Sequence, residues 1–194
     1  MNKAVFLDKD GTLIPDIPYN IDTSKITFTT GAFEALHLLQ EQDYLLVIVS
    51  NQSGIAKGYF TEEAFRQVPL YFIERFLQEG LLLSGFYFCP HYPGAAVEAY
   101  ATDCDCRKPQ PAMLLQAAAE LNIDLRQSWM IGDILHDVEA GNRAGCRTIL
   151  LNNGNETEWK QGPYRVPAFM AQDLPDAAGH ILSSVLPYET VEHM

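Results

Sequence analysis

Ala4-Val5-Phe6-Leu7-Asp8-Lys9-Asp10-Gly11-Thr12 is an apolar run that ends in two carboxylates and a glycine. Four consecutive apolar residues bounded by a turn signal predict a short strand buried on both faces. Gly11 permits the sharp turn that the chain needs on leaving the strand. Asp8 and Asp10 then emerge together at the strand's carboxyl end, the edge at which open α/β sheets bind ligands. An aspartate there can attack a phosphoryl group and form an acyl-phosphate, splitting one difficult displacement into two easier ones. Such a nucleophile needs a divalent cation to screen one anion from another. It also needs a neighbouring acid to protonate the leaving alkoxide. Asp8 fits the first role and Asp10 the second, although this segment alone reads equally well as a polar turn.

Three further segments tip that balance. Leu45-Leu46-Val47-Ile48-Val49 predicts a second strand, ending in Ser50-Asn51-Gln52-Ser53-Gly54. A hydroxyl and small residues at a strand end suit a phosphate cradle, because main-chain N–H groups can point at the anion. Arg107-Lys108-Pro109 sets two fixed positive charges before a helical stretch. Trp129-Met130-Ile131 leads into Gly132-Asp133, with Asp137 four residues beyond Asp133. Asp133 at a strand end can complete a metal site with Asp8. A few hard carboxylate oxygens, with water and substrate completing the shell, suit Mg²⁺ better than zinc.

The ordered set DKDGT, SNQSG, RKP and GDxxxD, spread over residues 1–151, resembles the haloacid dehalogenase (HAD) superfamily of aspartate-nucleophile phosphatases. The resemblance implies that Asp8 is the nucleophile and a Mg²⁺ ligand. It implies that Asp10 is the general acid/base and lends the metal its main-chain carbonyl. Ser50 and Asn51 would hold the transferring phosphoryl group, Lys108 would balance charge around Asp8 and the phosphate, and Asp133 would be the second carboxylate ligand. Asp137 is expected to support the site rather than ligate directly. The implied fold is a three-layer, Rossmann-like α/β fold with a parallel sheet.

A second constellation lies between the second and third motifs. Cys89-Pro90-His91 and Cys104-Asp105-Cys106 supply three thiolates and an imidazole, the ligand count of a closed tetrahedral zinc site. A disulfide would leave an odd thiol in a chain without secretory features. With four protein ligands the zinc has no open position, so its expected role is structural: to pin loop 89–106 and fix where Arg107 and Lys108 point. Cys146, in Ala144-Gly145-Cys146, reads as a small buried apolar residue.

The zinc loop resembles that of the HAD branch holding the heptose bisphosphate phosphatases and the histidinol-phosphate phosphatases, which share a C-x-H…C-x-C-R-K-P pattern. Twelve residues (92–103) separate His91 from Cys104, a spacing similar to the heptose group and longer than the histidinol group. Residues 51–58, NQSGIAKG, also resemble the heptose group. The resemblance implies hydrolysis of the 7-phosphate of D-glycero-D-manno-heptose 1,7-bisphosphate through an aspartyl-phosphate, with Arg107 on the distal phosphate. The chain departs from that group at Ile134, where a lysine is usual, and at His136, where an acidic residue is usual. Lys57 is a candidate to compensate for the missing charge. Histidinol phosphate or another small phosphorylated metabolite, and a non-catalytic zinc-stabilised binding module, are the alternatives; the intact Asp8/Asp10 pair speaks against the last.

At 194 residues with 47% hydrophobic and 20% charged content, one domain spanning 1–194 is expected. A net charge of −12 argues against nucleic-acid or anionic-membrane binding. An anionic substrate must therefore be drawn by local charge. No stretch is apolar enough for a membrane span or a signal peptide, and a cytoplasmic monomer is expected, with no obvious apolar stripe for a partner. Strands are predicted near 3–8, 44–50, 85–89, 128–132 and 147–151, with another at 168–171. Helices are predicted near 31–42, 62–79, 111–121, 136–144 and 174–185. Pro69 implies a kink or late start in the second helix, and Asp173 reads as an N-cap. Phe33, Leu36 and Leu39, and Leu114, Ala118 and Leu121, are expected in the core, with Phe72 and Phe76 as packing residues. Residues 13–43 leave no room for a cap domain, so the site should be open and shaped by loops 13–30, 51–60 and 89–106. Segment 152–167 is expected to be a surface loop, with a place at the substrate mouth as the alternative.

Overall fold

In the computed structural model, which describes residues 1–184, the apolar runs become strands of one sheet. These are β1 (Lys3–Leu7), β2 (Tyr44–Asn51), β3 (Leu83–Cys89), β4 (Trp129–Gly132), β5 (Arg147–Leu151) and β6 (Phe169–Ala171). All pair in parallel, in the order β3-β2-β1-β4-β5-β6. The chain runs outward in one direction from β1 through β2 to β3, then returns to the other side of β1 with β4. That reversal opens a crevice at the carboxyl ends of β1 and β4. Asp8 follows β1 and Asp133 follows β4, so the order of the strands alone brings the two aspartates to the crevice.

Both faces of the sheet are covered, which is why its strands are continuously apolar. Side chains alternate between two layers. Val5, Leu7, Leu46, Ile48, Trp129, Ile131, Ile149 and Leu151 face one core, with α1 (Ala32–Glu41), α3 (Gln67–Gln78) and α6 (Leu174–Ser183). Ala4, Phe6, Val47, Val49 and Met130 face the other, with α4 (Ala112–Glu120) and α5 (Leu135–Ala144). Leu36, Leu39, Phe72, Phe76 and Leu114 are buried, and Phe33, Ala118 and Leu121 pack partly buried against the two cores. The three-layer α/β architecture is the expected one.

The predicted helix over 62–79 is two helices, α2 (Glu62–Phe65) and α3, meeting at Arg66. Pro69 is the third residue of α3, where no intrahelical donor is missed, so the proline acts as a late start. Asp173 caps α6 by accepting from the Asp176 N–H at 2.9 Å. Residue 185, predicted to end that helix, lies outside the described residues. Between β1 and β2 the chain makes only a short 3-10 turn (Thr23–Lys25) and α1, and another such turn (Glu98–Tyr100) is the only helical piece of the zinc loop. No helix among the described residues is long and apolar enough to cross a membrane. One expectation is corrected: α3 leaves Leu70, Ile73 and Leu77 exposed at helical spacing, with Leu82 just beyond, so an apolar stripe does exist. Its residues are spread among buried Val68, Phe72 and Phe76, so the linear sequence shows one apolar helix rather than two faces.

Candidate active site

The two carboxylates of the first motif take different partners. Asp8 points into the crevice, where its Oδ1 accepts from Lys108 Nζ at 2.5 Å. The same ammonium lies 2.6 Å from Asp137 Oδ1 and donates to the Val49 carbonyl at 2.9 Å. Asp133 completes the group: carboxylate oxygens of Asp8, Asp133 and Asp137 lie within 4.8 Å of one another. All four side chains are buried. Asp10 turns toward β2 instead, where its carboxylate pairs with Lys9 Nζ and accepts from Gln52 Nε2 at 3.1 Å. Gln52 also donates to Ser50 Oγ at 2.8 Å, so one buried amide ties Asp10 to the end of β2.

The electrostatics follow from this packing. Burial pushes the Asp8 carboxyl well above the usual range, against Lys108 and with help from Asp137 and Asp133. Burial, then Asp137, pushes Asp133 up to about 7. Burial alone would lower the Lys108 ammonium, but Asp137 and Asp8 raise it above its ordinary value, so it stays charged. Three carboxylates against one ammonium leave −2 when all are ionised. Hard oxygen donors with surplus negative charge are what a divalent cation such as Mg²⁺ requires. Asp137 is already bonded to Lys108 and accepts from the Ile134 N–H at the start of α5 at 3.3 Å, the geometry of a supporting residue.

Asn51 has a further role. Its Nδ2 donates to the Lys108 carbonyl and its Oδ1 accepts from the Lys108 N–H, both at 3.0 Å. Both ends of the amide are so engaged, and the side chain positions Lys108 from the edge of the cleft. Three contributors escaped the sequence reading. Lys9 is buried against Asp10, and Gln52 bridges Asp10 and Ser50. Asn155, in the exposed segment after β5, donates to Asp133 Oδ2 at 2.8 Å. Segment 152–167 is thus a surface loop that also reaches the site. Lys9 and Gln52 each adjoin a motif residue; Asn155 carries no local signal.

Beside Asp10 opens a cleft of about 310 Å³, lined by Asp16, Tyr19 and Asn20 from one loop and Asn51, Gln52, Ser53 and Gly54 from another. Lys57 stands nearby, donating to Tyr19 Oη at 2.5 Å and 4.9 Å from the Tyr92 ring centre. Arg107 approaches the same ring at 4.8 Å and donates to the His91 carbonyl at 3.4 Å. Neither cation is paired with a carboxylate among the described residues. Ile134 lines a separate small recess with His136 and Glu156 and brings no charge.

The cysteine constellation assembles as well. Cys89, His91, Cys104 and Cys106 offer four donor atoms within 4.8 Å of one another, with no disulfide among them. Cys106 Sγ lies 2.8 Å from Cys89 Sγ and 3.3 Å from His91 Nδ1. Three thiols and an imidazole converging without covalent closure fit zinc. The site adjoins the loop after β2: Asn51 and Cys89 are register partners at the ends of β2 and β3, and the Gln52 N–H donates to the Cys89 carbonyl at 2.8 Å. Cys146 is buried and apart from the cluster.

Residues 105–177 match the HAD-hydrolase-like family model. A D-glycero-beta-D-manno-heptose-1,7-bisphosphate 7-phosphatase of Pasteurella multocida is 45% identical over 179 residues, covering 90% of this chain and 96% of that one. The protein of that name from Photorhabdus laumondii is 44% identical, covering 90% and 94%. Among solved structures, the D,D-heptose 1,7-bisphosphate phosphatase of B. bronchiseptica, complexed with magnesium and phosphate, superposes with a TM-score of 0.79 at 28% identity, covering 94% of this chain and 99% of that one.

Proposed function

The chain belongs to the family of D-glycero-beta-D-manno-heptose-1,7-bisphosphate 7-phosphatases within the HAD-like hydrolases, and from that premise we propose that it hydrolyses the 7-phosphate of the heptose bisphosphate through an aspartyl-phosphate on Asp8. The observation that carries the proposal is the buried Asp8–Lys108–Asp137 array beside Asp133 at the β1/β4 crevice. An Asp8 oxygen attacks phosphorus, and the bond to the sugar oxygen breaks. Asp10 gives that oxygen its proton, then takes one from the water that attacks the aspartyl-phosphate, releasing inorganic phosphate and restoring Asp8. Lys108 stays protonated throughout and offsets the charge gathered around Asp8. Ser50 and the main chain after β2 cradle the phosphoryl oxygens, while Asn51 keeps Lys108 in line. Mg²⁺, held by Asp8, Asp133 and the Asp10 carbonyl, supplies charge neutralisation when bound.

Arg107 takes the distal phosphate in this scheme, and Lys57 joins it. Two cations beside one tyrosine ring, without a carboxylate partner among the described residues, in a chain of net charge −12, form a local anion attractor in an acidic molecule. They supply the charge that Ile134 does not. Zinc on Cys89, His91, Cys104 and Cys106 fixes the loop from which Arg107 and Lys108 emerge. Four cysteines without a disulfide among them agree with a reducing, cytoplasmic setting.

The test is turnover with Mg²⁺ on an aryl phosphate and on a panel of phosphorylated metabolites that includes both anomers of heptose 1,7-bisphosphate and histidinol phosphate. Heptose bisphosphate should dominate the panel. Aryl phosphate hydrolysis should vanish in Asp8→Asn and fall strongly in Asp10→Asn. Wild-type turnover in Asp8→Asn would sink the nucleophile assignment, and a profile led by another metabolite would sink the substrate.

A further inference from the structure

The segment after β5 has no regular secondary structure, yet its side chains lace together both loops that carry the cation's carboxylates. Asn153 Nδ2 donates to the Gly11 carbonyl at 2.7 Å. The Asn155 N–H donates to Asn153 Oδ1 at 3.3 Å, and Asn155 Nδ2 donates to Asp133 Oδ2 at 2.8 Å. Glu156 Oε2 accepts from the Leu135 N–H at the start of α5 at 2.6 Å, and its other oxygen accepts from the N–H groups of Glu158 and Trp159 at 2.7 and 3.2 Å. The fit at the centre is close. A Cβ on Gly11 would lie 2.0 Å from Asp133 Oδ2 and 2.7 Å from Asn155 Nδ2, at a backbone φ of +85°. Only glycine lets the β1 loop, the β4 aspartate and the strap meet.

We propose that Asn155 is a positioning residue of the cation site: its amide fixes the Asp133 carboxylate, and Asn153 holds the same strap to the Gly11 turn. The proposal rests on the reading of Asp8 and Asp133 as Mg²⁺ ligands. The terminal torsion of an aspartate is soft and roughly two-fold; the Thr12 hydroxyl reaches Asp133 Oδ1 only at 3.4 Å, so the shorter bond from Asn155 to Oδ2 does most to select the orientation of the carboxylate. The ordering is then already in place before the ion arrives, instead of opposing its binding. An amide suits this task better than an ammonium, because it orients Asp133 without cancelling the negative charge that the cation needs.

The experiment is isothermal titration of Mg²⁺ alone into zinc-replete wild-type protein and the variants Asn155→Ala, Asn155→Leu and Asn153→Ala. Asn155 is exposed, so its truncation leaves the core intact, and the leucine variant keeps the volume without the donor. Mg²⁺ binding should weaken tenfold or more in both Asn155 variants and less in Asn153→Ala. The melting temperature in Mg²⁺-free buffer should stay near the wild-type value. Raising Mg²⁺ should restore turnover in the Asn155 variants. Unchanged Mg²⁺ affinity in both Asn155 variants overturns the proposal while leaving the phosphatase reading intact. A wild-type protein that takes up no Mg²⁺ overturns the cation reading, and the positioning role falls with it.

Discussion

Lys108→Met should destabilise the Mg²⁺-free protein by about 3–5 kcal/mol at pH 8, the usual cost of removing one partner from a buried ion pair. Lys108 is 2% exposed and reaches Asp8, Asp137 and the Val49 carbonyl within 2.9 Å. Methionine keeps the unbranched stem and its packing, so the loss isolates the charge. Three buried carboxylates then stand together with no ammonium among them. The orphaned carbonyl shares the same lost partner, so its cost overlaps the ionic one and is not added to it. For a chain of this size the shift in Tm is about 6–20 °C, measurable by calorimetry alongside urea unfolding. The pH dependence carries a definite sign. Burial already raises Asp8 above its unfolded value, and Lys108 is the group that opposes this. Without Lys108 the folded carboxyl rises further, so folding takes up a proton and the variant gains stability as pH falls. The raised Lys108 of the wild type keeps its charge throughout, because it titrates only above the ordinary lysine range. The deficit should therefore be largest at pH 8 and shrink toward pH 5.5. A deficit below about 1 kcal/mol at pH 8, or one that does not change with pH, would refute the assignment of Lys108 as the charge that holds the array together.

Arg107→Ala should cut kcat/KM for the heptose bisphosphate by about ten- to a hundredfold, the worth of a hydrogen bond to a charged group, and far less for an aryl monophosphate. Lys57→Ala should act in the same direction with a smaller effect; equal losses on both substrates would remove these residues from the distal phosphate. Stripping zinc should expose Cys89, Cys104 and Cys106 to a thiol reagent and lower turnover. Cys146, a buried thiol pushed up to about 12, should react only on unfolding. Four thiols reacting together, or unchanged turnover without zinc, would contradict the structural role of the loop.

What could be read from the chain was set by local rules. Apolar runs ending in Asp8, Ser50 and Asp133 marked strand ends, and parallel strands put such ends on one edge of a sheet. The spacing of Cys89, His91, Cys104 and Cys106 carried its chemistry openly, since few other arrangements require three cysteines and a histidine in one loop. The remainder was tertiary. Asn155 looks like any polar loop residue, and only the β4–β5–β6 order brings it to Asp133. Asn51 was matched to the right motif, but the partner of its amide is the main chain 57 positions away. Leu70, Ile73 and Leu77 were hidden by the buried residues between them, because periodicity records that a helix is apolar, not which of its neighbours are present.

The span between His91 and Cys104 begins and ends at the same cluster of donors. It packs against the loop after β2, with Tyr92 beside Lys57 and the Val97 N–H bonded to the Ala56 carbonyl at 2.9 Å. Lengthening a loop whose ends are already clamped costs little closure entropy. Insertions beside Gly94, which has open space around it, would therefore leave Tyr100 on the core and bonded to Glu62 while adding to the outer face of the loop. The span is a place at which the entrance can be remade without touching Asp8, Asp10, Asp133 or Asp137.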